Sequence, residues 1–230
     1  MSKNTQNDIK TLAYVLRRTN YGEADRILNL ITPTGKISAI AKSVRKEKSK
    51  LAGGIEMFSL VELNIHQGKS EFGIVTSARM LKYYSKILAE YERMELAALI
   101  LKKVSLAAES SDNPEYFKLV DQGLKGLDLG MNLDLVESWF LLNLTRATGE
   151  EINIYRDIDG EKLNPENNYT WDVMESVFIK NMGGDFGANE IKMLRLMLTA
   201  ELLVVSRVKN YEEMMPKILR VAKSVAKIKQ

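Results

Sequence analysis

Residues Phe58 to Ser77 read FSLVELNIHQGKSEFGIVTS. In the first eight, Val61, Leu63 and Ile65 alternate with Leu60, Glu62 and Asn64, the period of a half-buried strand. Gln67-Gly68-Lys69 is a turn, and Phe72–Ser77 is the strand returning from it. An alternating hairpin of this kind places the N-terminal part of the chain among small β structures.

Working back from the hairpin, three more short strands are predicted. Thr11–Arg18 is apolar at Leu12, Val15 and Leu16 without clean alternation, Asp25–Ile31 ends at a Pro33-Thr34-Gly35 turn, and Lys36–Ala41 follows. Five short strands punctuated by turns suit a small barrel. Working forward, the texture changes near Arg79. Glu92–Ala108 sets Leu96, Leu99, Ile100, Val104 and Ala107 on one helical face. Asn113-Pro114-Glu115 supplies a capping side chain and then a proline suited to a first turn. Leu133–Thr148 and Asn189–Val208 predict two long helices, and Lys217–Lys229 a last one with Pro216 in its first turn. Between them, Ile152–Leu163 contains Asp159-Gly160, a tight-turn signal, and predicts a small β-hairpin inside the helical region. The expected division is therefore a β domain over 1–80 and a helical domain over 81–230.

Composition excludes several classes. With 45% hydrophobic and 27% charged residues, the 230-residue chain is neither disordered nor collagen-like. Its longest apolar run, Leu96–Leu101, falls far short of a bilayer span, and the polar start Met1–Asp8 predicts no secretory signal. The absence of cysteine excludes disulfides and thiolate metal sites, and one histidine, His66, cannot build a multi-histidine zinc centre. A cytoplasmic protein without metal or other cofactor is expected. The net charge of +3 conceals an uneven distribution. Residues 1–80 carry 13 Lys/Arg against 7 Asp/Glu, residues 81–205 carry 13 against 21, and residues 206–230 carry 7 against 2. A basic head, an acidic middle and a basic tail imply surfaces suited to different partners.

No enzymatic constellation stands out. Gly68-Lys69-Ser70 resembles the end of a phosphate-binding loop, but Leu63 occupies the position of that motif's first glycine. Asp185-Phe186-Gly187 matches a kinase triplet without its companions. Asp157, Asp159 and Glu161 begin like a calcium loop, but Gly160 is misplaced and Asn168 stands at the twelfth position. His66, at a strand end, reads as a surface or capping residue. The informative feature is Lys42-Ser43-Val44-Arg45-Lys46-Glu47-Lys48-Ser49-Lys50, five cations in nine residues directly after a strand. Such a run can hold phosphates without reading bases; taken alone, it is equally a solvated loop.

Read together, Tyr21-Gly22-Glu23, Asp25-Arg26, Thr32-Pro33-Thr34-Gly35 and the basic run Lys42–Ser49 resemble the RecO family of DNA repair proteins. Ser43 stands where that family usually has glycine, and Lys46 where it has a second arginine. Ile55-Glu56-Met57-Phe58 agrees only at its ends with the family's leucine-glutamine-proline-phenylalanine. The resemblance is strong over residues 10–80 and continues more weakly through the order of the helices.

The resemblance implies an α+β protein: a five-stranded OB-fold barrel, then an all-helical domain. It implies a recombination mediator with no catalysis that binds single- and double-stranded DNA and anneals strands. With RecR, such a protein helps load RecA onto DNA coated by the single-stranded DNA-binding protein (SSB), which implies a cytoplasmic, nucleoid-associated location. Many relatives carry a four-cysteine zinc ribbon near the position of Ile152–Leu163. Here it would survive as a zinc-free β-hairpin held by packing. On this reading Arg17, Arg18, Lys36, Lys42, Arg45, Lys46, Lys48 and Lys50 contact DNA; Tyr14, Tyr21, Phe58 and Phe72 are candidate stacking platforms, each of which reads more readily as a core residue. In the tail, Lys217, Arg220, Lys223 and Lys227 share one face opposite Ile218, Leu219, Ala222 and Val225. That face either receives the acidic SSB C-terminal tail, through Lys217, Arg220 and Lys223, or extends the DNA track, or only complements the helix's own dipole. Two other classes compete: a non-catalytic RNA-binding OB-fold protein, and a helical protein-binding scaffold.

Overall fold

The computed structural model describes residues 8–68 and 70–226. Lys69 of the predicted turn and Lys227 of the tail face lie outside the described residues. Five strands, β1 (Asp8–Tyr21), β2 (Asp25–Thr32), β3 (Gly35–Ala41), β4 (Ser59–His66) and β5 (Gly73–Tyr83), close into a barrel in the order β1-β2-β3-β5-β4. All neighbours run antiparallel except β3 and β5, which meet in parallel at Ala39–Gly73 and Ile40–Ile74. A closed five-stranded barrel of this kind is the OB-fold. The alternation in β4 points inward as predicted: Val61, Leu63 and Ile65 are fully buried with Leu28, Leu30, Ala39 and Ala41.

The irregular pattern of β1 has a cause. Its pairing with β2 shifts register between Val15 and Arg17, a bulge that bends the strand. Ala13 and Val15 enter the barrel core, while the equally buried Tyr14 and Leu16 lie outside that cluster. The Tyr14 hydroxyl donates to Asp121 Oδ1 at 2.6 Å and meets the Tyr84 hydroxyl at 3.0 Å. Asp121 belongs to α2 (Glu115–Asp128), which follows α1 (Tyr91–Ser110). The barrel and these two helices form one compact unit, Met1–Asp128, and Leu129–Gln230 form a second. The grouping by contact thus falls later than the change of texture near Arg79, because α1 and α2 cover the outer face of β1.

The second unit is built around α3 (Leu133–Ala147), in which every residue from Ser138 to Thr145 is buried. The helix predicted over Asn189–Val208 is instead two, α4 (Ala188–Thr199) and the short α5 (Leu202–Val205), because Ala200 is extended. Side chains of α3 satisfy the carbonyls where α4 stops: Trp139 Nε1 donates to Ala200 O at 3.0 Å, Asn143 to Met197 O at 2.9 Å, and Arg146 to Leu198 O. The last helix, α6 (Met215–Val225), has proline in its first turn as predicted and packs on α3.

The small sheet lies later than predicted. Around Ile152–Leu163 there is a turn, with Gly160 in the left-handed region (φ 79°), but only isolated bridges, Arg156–Lys162 within the segment and Asp157–Phe178 to a later one. Asp157 turns its carboxylate onto its own loop, accepting from the backbone of Asp159 and Glu161, and the segment docks by Ile158 N–H on Phe178 O instead of extending a ladder. The regular hairpin is β6 (Tyr169–Asp172) with β7 (Val177–Lys180). Phe178 is fully buried there, edge-on to Trp171 (4.8 Å between centroids), Phe186 (5.3 Å) and Tyr169 (6.2 Å). Cysteine-free, this hairpin does not fit the four-cysteine zinc ribbon that the resemblance allows. An aromatic cluster forms its centre.

Candidate nucleic-acid interface

The basic run after β3 is an ordered loop. Val44, between the cations, is 3% exposed and belongs to the barrel core, and Leu51 packs against the same core. The 3₁₀ turn Ala52–Gly54 then lies on β5 so closely that a Cβ on Gly54 would stand 2.6 Å from the backbone of Ala78. Backbone hydrogen bonds from Lys46 to Ser43 and from Ser49 to Lys46 fold the intervening residues. With Val44 and Leu51 drawn inward, Lys42, Arg45, Lys46, Lys48 and Lys50 are left exposed. None of these five forms an ion pair among the described residues.

The same loop is tied to the β1–β2 turn. Arg45 N–H donates to Ala24 O at 2.9 Å, the Arg45 guanidinium to Gly22 O at 3.3 Å, and Ser43 N–H to Asp25 Oδ1 at 2.6 Å. Ser43 has φ 53°, the left-handed backbone that glycine takes at little cost. The β2–β3 register sets Arg26 opposite Ala41, beside the loop. Its guanidinium donates to Asn20 Oδ1 on β1 at 3.3 Å. Tyr21, at the tip of the turn, is 54% exposed.

The remaining predicted contacts are dispersed. Arg17 is exposed on the barrel wall, but Arg18 is half-buried and paired with Glu56 at 2.8 Å. Lys36 stands at the opposite end of β3 from Lys42, about 20 Å away at roughly 3.3 Å per residue, and its N–H faces Asp112 at 3.4 Å. Among the aromatic candidates, Tyr14 is a core residue. Burial, then its hydrogen bonds to Asp121 and Tyr84, push its phenol far above the ordinary tyrosine range, and burial pushes Tyr84 up to about 12. Phe58 and Phe72 are half-buried, which leaves Tyr21 as the exposed ring of the four.

In the second unit, the three tail cations are each engaged by a carboxylate. Lys217 pairs with Glu190 at 2.8 Å, Arg220 with Asp185 at 2.6 Å, and Lys223 with Glu137 at 3.1 Å. Burial pushes the Glu190 carboxyl up, but hydrogen bonds from Lys217 and from backbone N–H groups outweigh it and hold the group below its ordinary value. Lys217 also lines a groove of about 640 Å³ together with Met193, Leu196 and Met214, the cations Lys192 and Lys209, and the carboxylates of Glu190 and Glu213. Arg220 and Lys223 do not line it. Among the described residues no helix is long and apolar enough to cross a membrane.

Comparison with known proteins agrees with this architecture. The sequence profile of the family described as Recombination protein O N terminal matches residues 6–84, the barrel and its exit. The chain is 30% identical over 222 residues to a DNA repair protein RecO of Dehalococcoides mccartyi (strain CBDB1), covering 92% of this chain and 86% of that one. It is 31% identical over 178 residues to a DNA repair protein RecO of Heliobacterium modesticaldum, covering 76% and 63% of the two chains. It is also 31% identical over 147 residues to one of Roseiflexus sp. (strain RS-1), covering 64% and 52%.

Proposed function

The chain belongs to the RecO family of DNA repair proteins, and from that premise we propose that it is a non-catalytic mediator that binds single- and double-stranded DNA through the barrel's basic loop and anneals complementary strands. The observation that carries this reading is the loop itself. Lys42, Arg45, Lys46, Lys48 and Lys50 are held outward, without ion pairs among the described residues, on a segment fastened to the core at Val44 and to the β1–β2 turn by three hydrogen bonds. Cations positioned before DNA arrives need little reordering to meet phosphates, and phosphate contacts hold a strand without engaging its bases. Annealing requires that condition, since each base must remain available to its complement. The RecO family's work with RecR, in loading RecA onto SSB-coated DNA, is the role into which this activity fits.

Affinities for a single strand, a duplex and an RNA strand of equal length, measured across a salt series, test the reading. Binding to single-stranded and duplex DNA with a steep salt dependence supports it. A strong preference for RNA favours the competing RNA-binding assignment.

A second reading concerns the groove beside α4 and α6. Its apolar lining with three lysines, Lys192, Lys209 and Lys217, against two glutamates, Glu190 and Glu213, of which Glu190 already pairs with Lys217, suits a peptide with acidic residues and an apolar end, the chemistry of the SSB C-terminal tail. Arg220 and Lys223 take a smaller part in this reading than the sequence suggests, because they do not line the groove; Lys217 does, and a peptide carboxylate would there compete with Glu190.

A further inference from the structure

We propose that Asp25 is the positioning residue of the DNA-binding loop: an acid at the edge of a surface suited to phosphate, which promotes binding by fixing the loop's left-handed corner. The inference rests on the reading of residues 42–50 as the DNA clamp.

Asp25 opens β2, and the ladder that sets Arg26 opposite Ala41 brings its carboxylate to the point where the chain leaves β3. Its Oδ1 accepts the Ser43 N–H at 2.6 Å, a short charge-assisted bond between residues 18 apart in sequence. Ser43 is at φ 53°, where a serine resists standing without support. The reversal at Ser43 directs Val44 into the barrel core and turns Arg45 toward Ala24 and Gly22. The next turn begins from the same residue, since Lys46 N–H donates to Ser43 O at 3.2 Å. Every cation from Arg45 onward therefore takes its direction from a corner that Asp25 holds.

The consequence is a test of sign. Charge alone says that deleting a carboxylate beside Lys42, Arg45 and Lys46 strengthens the hold on a polyanion. Positioning says the opposite for alanine, and not for asparagine, whose amide oxygen still accepts the Ser43 N–H. Binding of a thymidine oligonucleotide of about 20 nucleotides by the full chain, at several salt concentrations, separates the two. Asp25→Ala should weaken binding by roughly 5- to 30-fold, the cost of ordering one released backbone residue on binding, with a shallower salt slope. Asp25→Asn should bind at least as tightly as the wild type, with the slope retained. Alanine binding as tightly as the wild type or tighter would overturn the proposal. So would asparagine failing as alanine does, since a general structural defect needs no retained acceptor.

Amide hydrogen exchange in the free protein tests the latch without DNA. Protection of the Ser43 amide should be lost in Asp25→Ala and kept in Asp25→Asn; equal protection in both would refute the latch. If the wild type binds no DNA, the clamp reading fails and the exchange result still decides whether Asp25 fixes the corner. Should the alanine variant not fold, Asp25→Ser, with a side chain too short to reach the Ser43 amide, provides the same comparison.

Discussion

Replacing Arg45, Lys46 and Lys48 together with alanine removes three exposed cations from the loop and leaves its anchors, Val44, Leu51 and the Ser43–Asp25 bond, in place. The side chains are exposed and without ion pairs among the described residues, so the cost in stability should stay within about 0.5 kcal/mol per site. The effect on binding is much larger. Each lost phosphate contact flattens the slope of log affinity against log salt by about 0.7 on a single strand and about 0.9 on a duplex. Three contacts amount to about 2 and about 2.7. Between 50 and 200 mM salt, the wild type should then lose about 20-fold more affinity than the triple variant on single strands and about 40-fold more on duplex. Fluorescence anisotropy with labelled oligonucleotides of several sequences measures both slopes, and the loss should be similar for all sequences because phosphates carry none. Arg45 also donates to Gly22 O, so Lys46→Ala with Lys48→Ala alone, which should account for two-thirds of the change, isolates charge from positioning. A folded triple variant with an unchanged slope would refute the assignment of the clamp to this loop.

Ser43→Gly should raise stability by roughly 0.5–1 kcal/mol in denaturant melts, because glycine accepts a φ of 53° that costs serine about that much after the unfolded chain's added freedom is counted. Phe178→Ala should destabilise the second unit by about 3–5 kcal/mol, the range for emptying a buried aromatic site, whereas a metal chelator should leave the wild-type Tm unmoved. Lys192→Glu with Lys209→Glu should reduce capture of an acidic peptide with an apolar C-terminus at least tenfold in an anisotropy titration and leave binding to naked DNA intact; loss of both activities together would make the groove part of the DNA track.

What the sequence reveals and what it conceals divide along the range of the interactions involved. The inward face of β4 is local, and the alternation of Val61, Leu63 and Ile65 is enough to read it. The helix start at Asn113 is local too, its side chain accepting from Glu115 N–H two residues on. The break after α4 is not. Nothing between Asn189 and Val208 announces it; the carbonyls freed there are met by Trp139, Asn143 and Arg146 of α3, the indole of Trp139 reaching Ala200 across 61 residues. The tail cations look unpartnered in sequence for the same reason: Lys223 finds its carboxylate at Glu137. In the basic loop the charge pattern is legible, but Val44 among the cations is a core residue, and only strand pairing brings Asp25 to its side. Tyr14 is read from the sequence as core sooner than as a stacking platform, and it is buried; what the sequence does not show is its hydroxyl partner, Asp121, 107 residues away.

The most direct test of the mediator reading is the rate at which two complementary DNA strands, each saturated with the cognate SSB, anneal in the presence of this protein and no nucleotide. The wild type should accelerate annealing severalfold or more, the Arg45, Lys46, Lys48 triple variant should lose most of the acceleration, and equal naked strands should show the same order. Annealing no faster than the SSB-coated control, by a wild-type protein that binds naked single strands, would contradict the mediator reading.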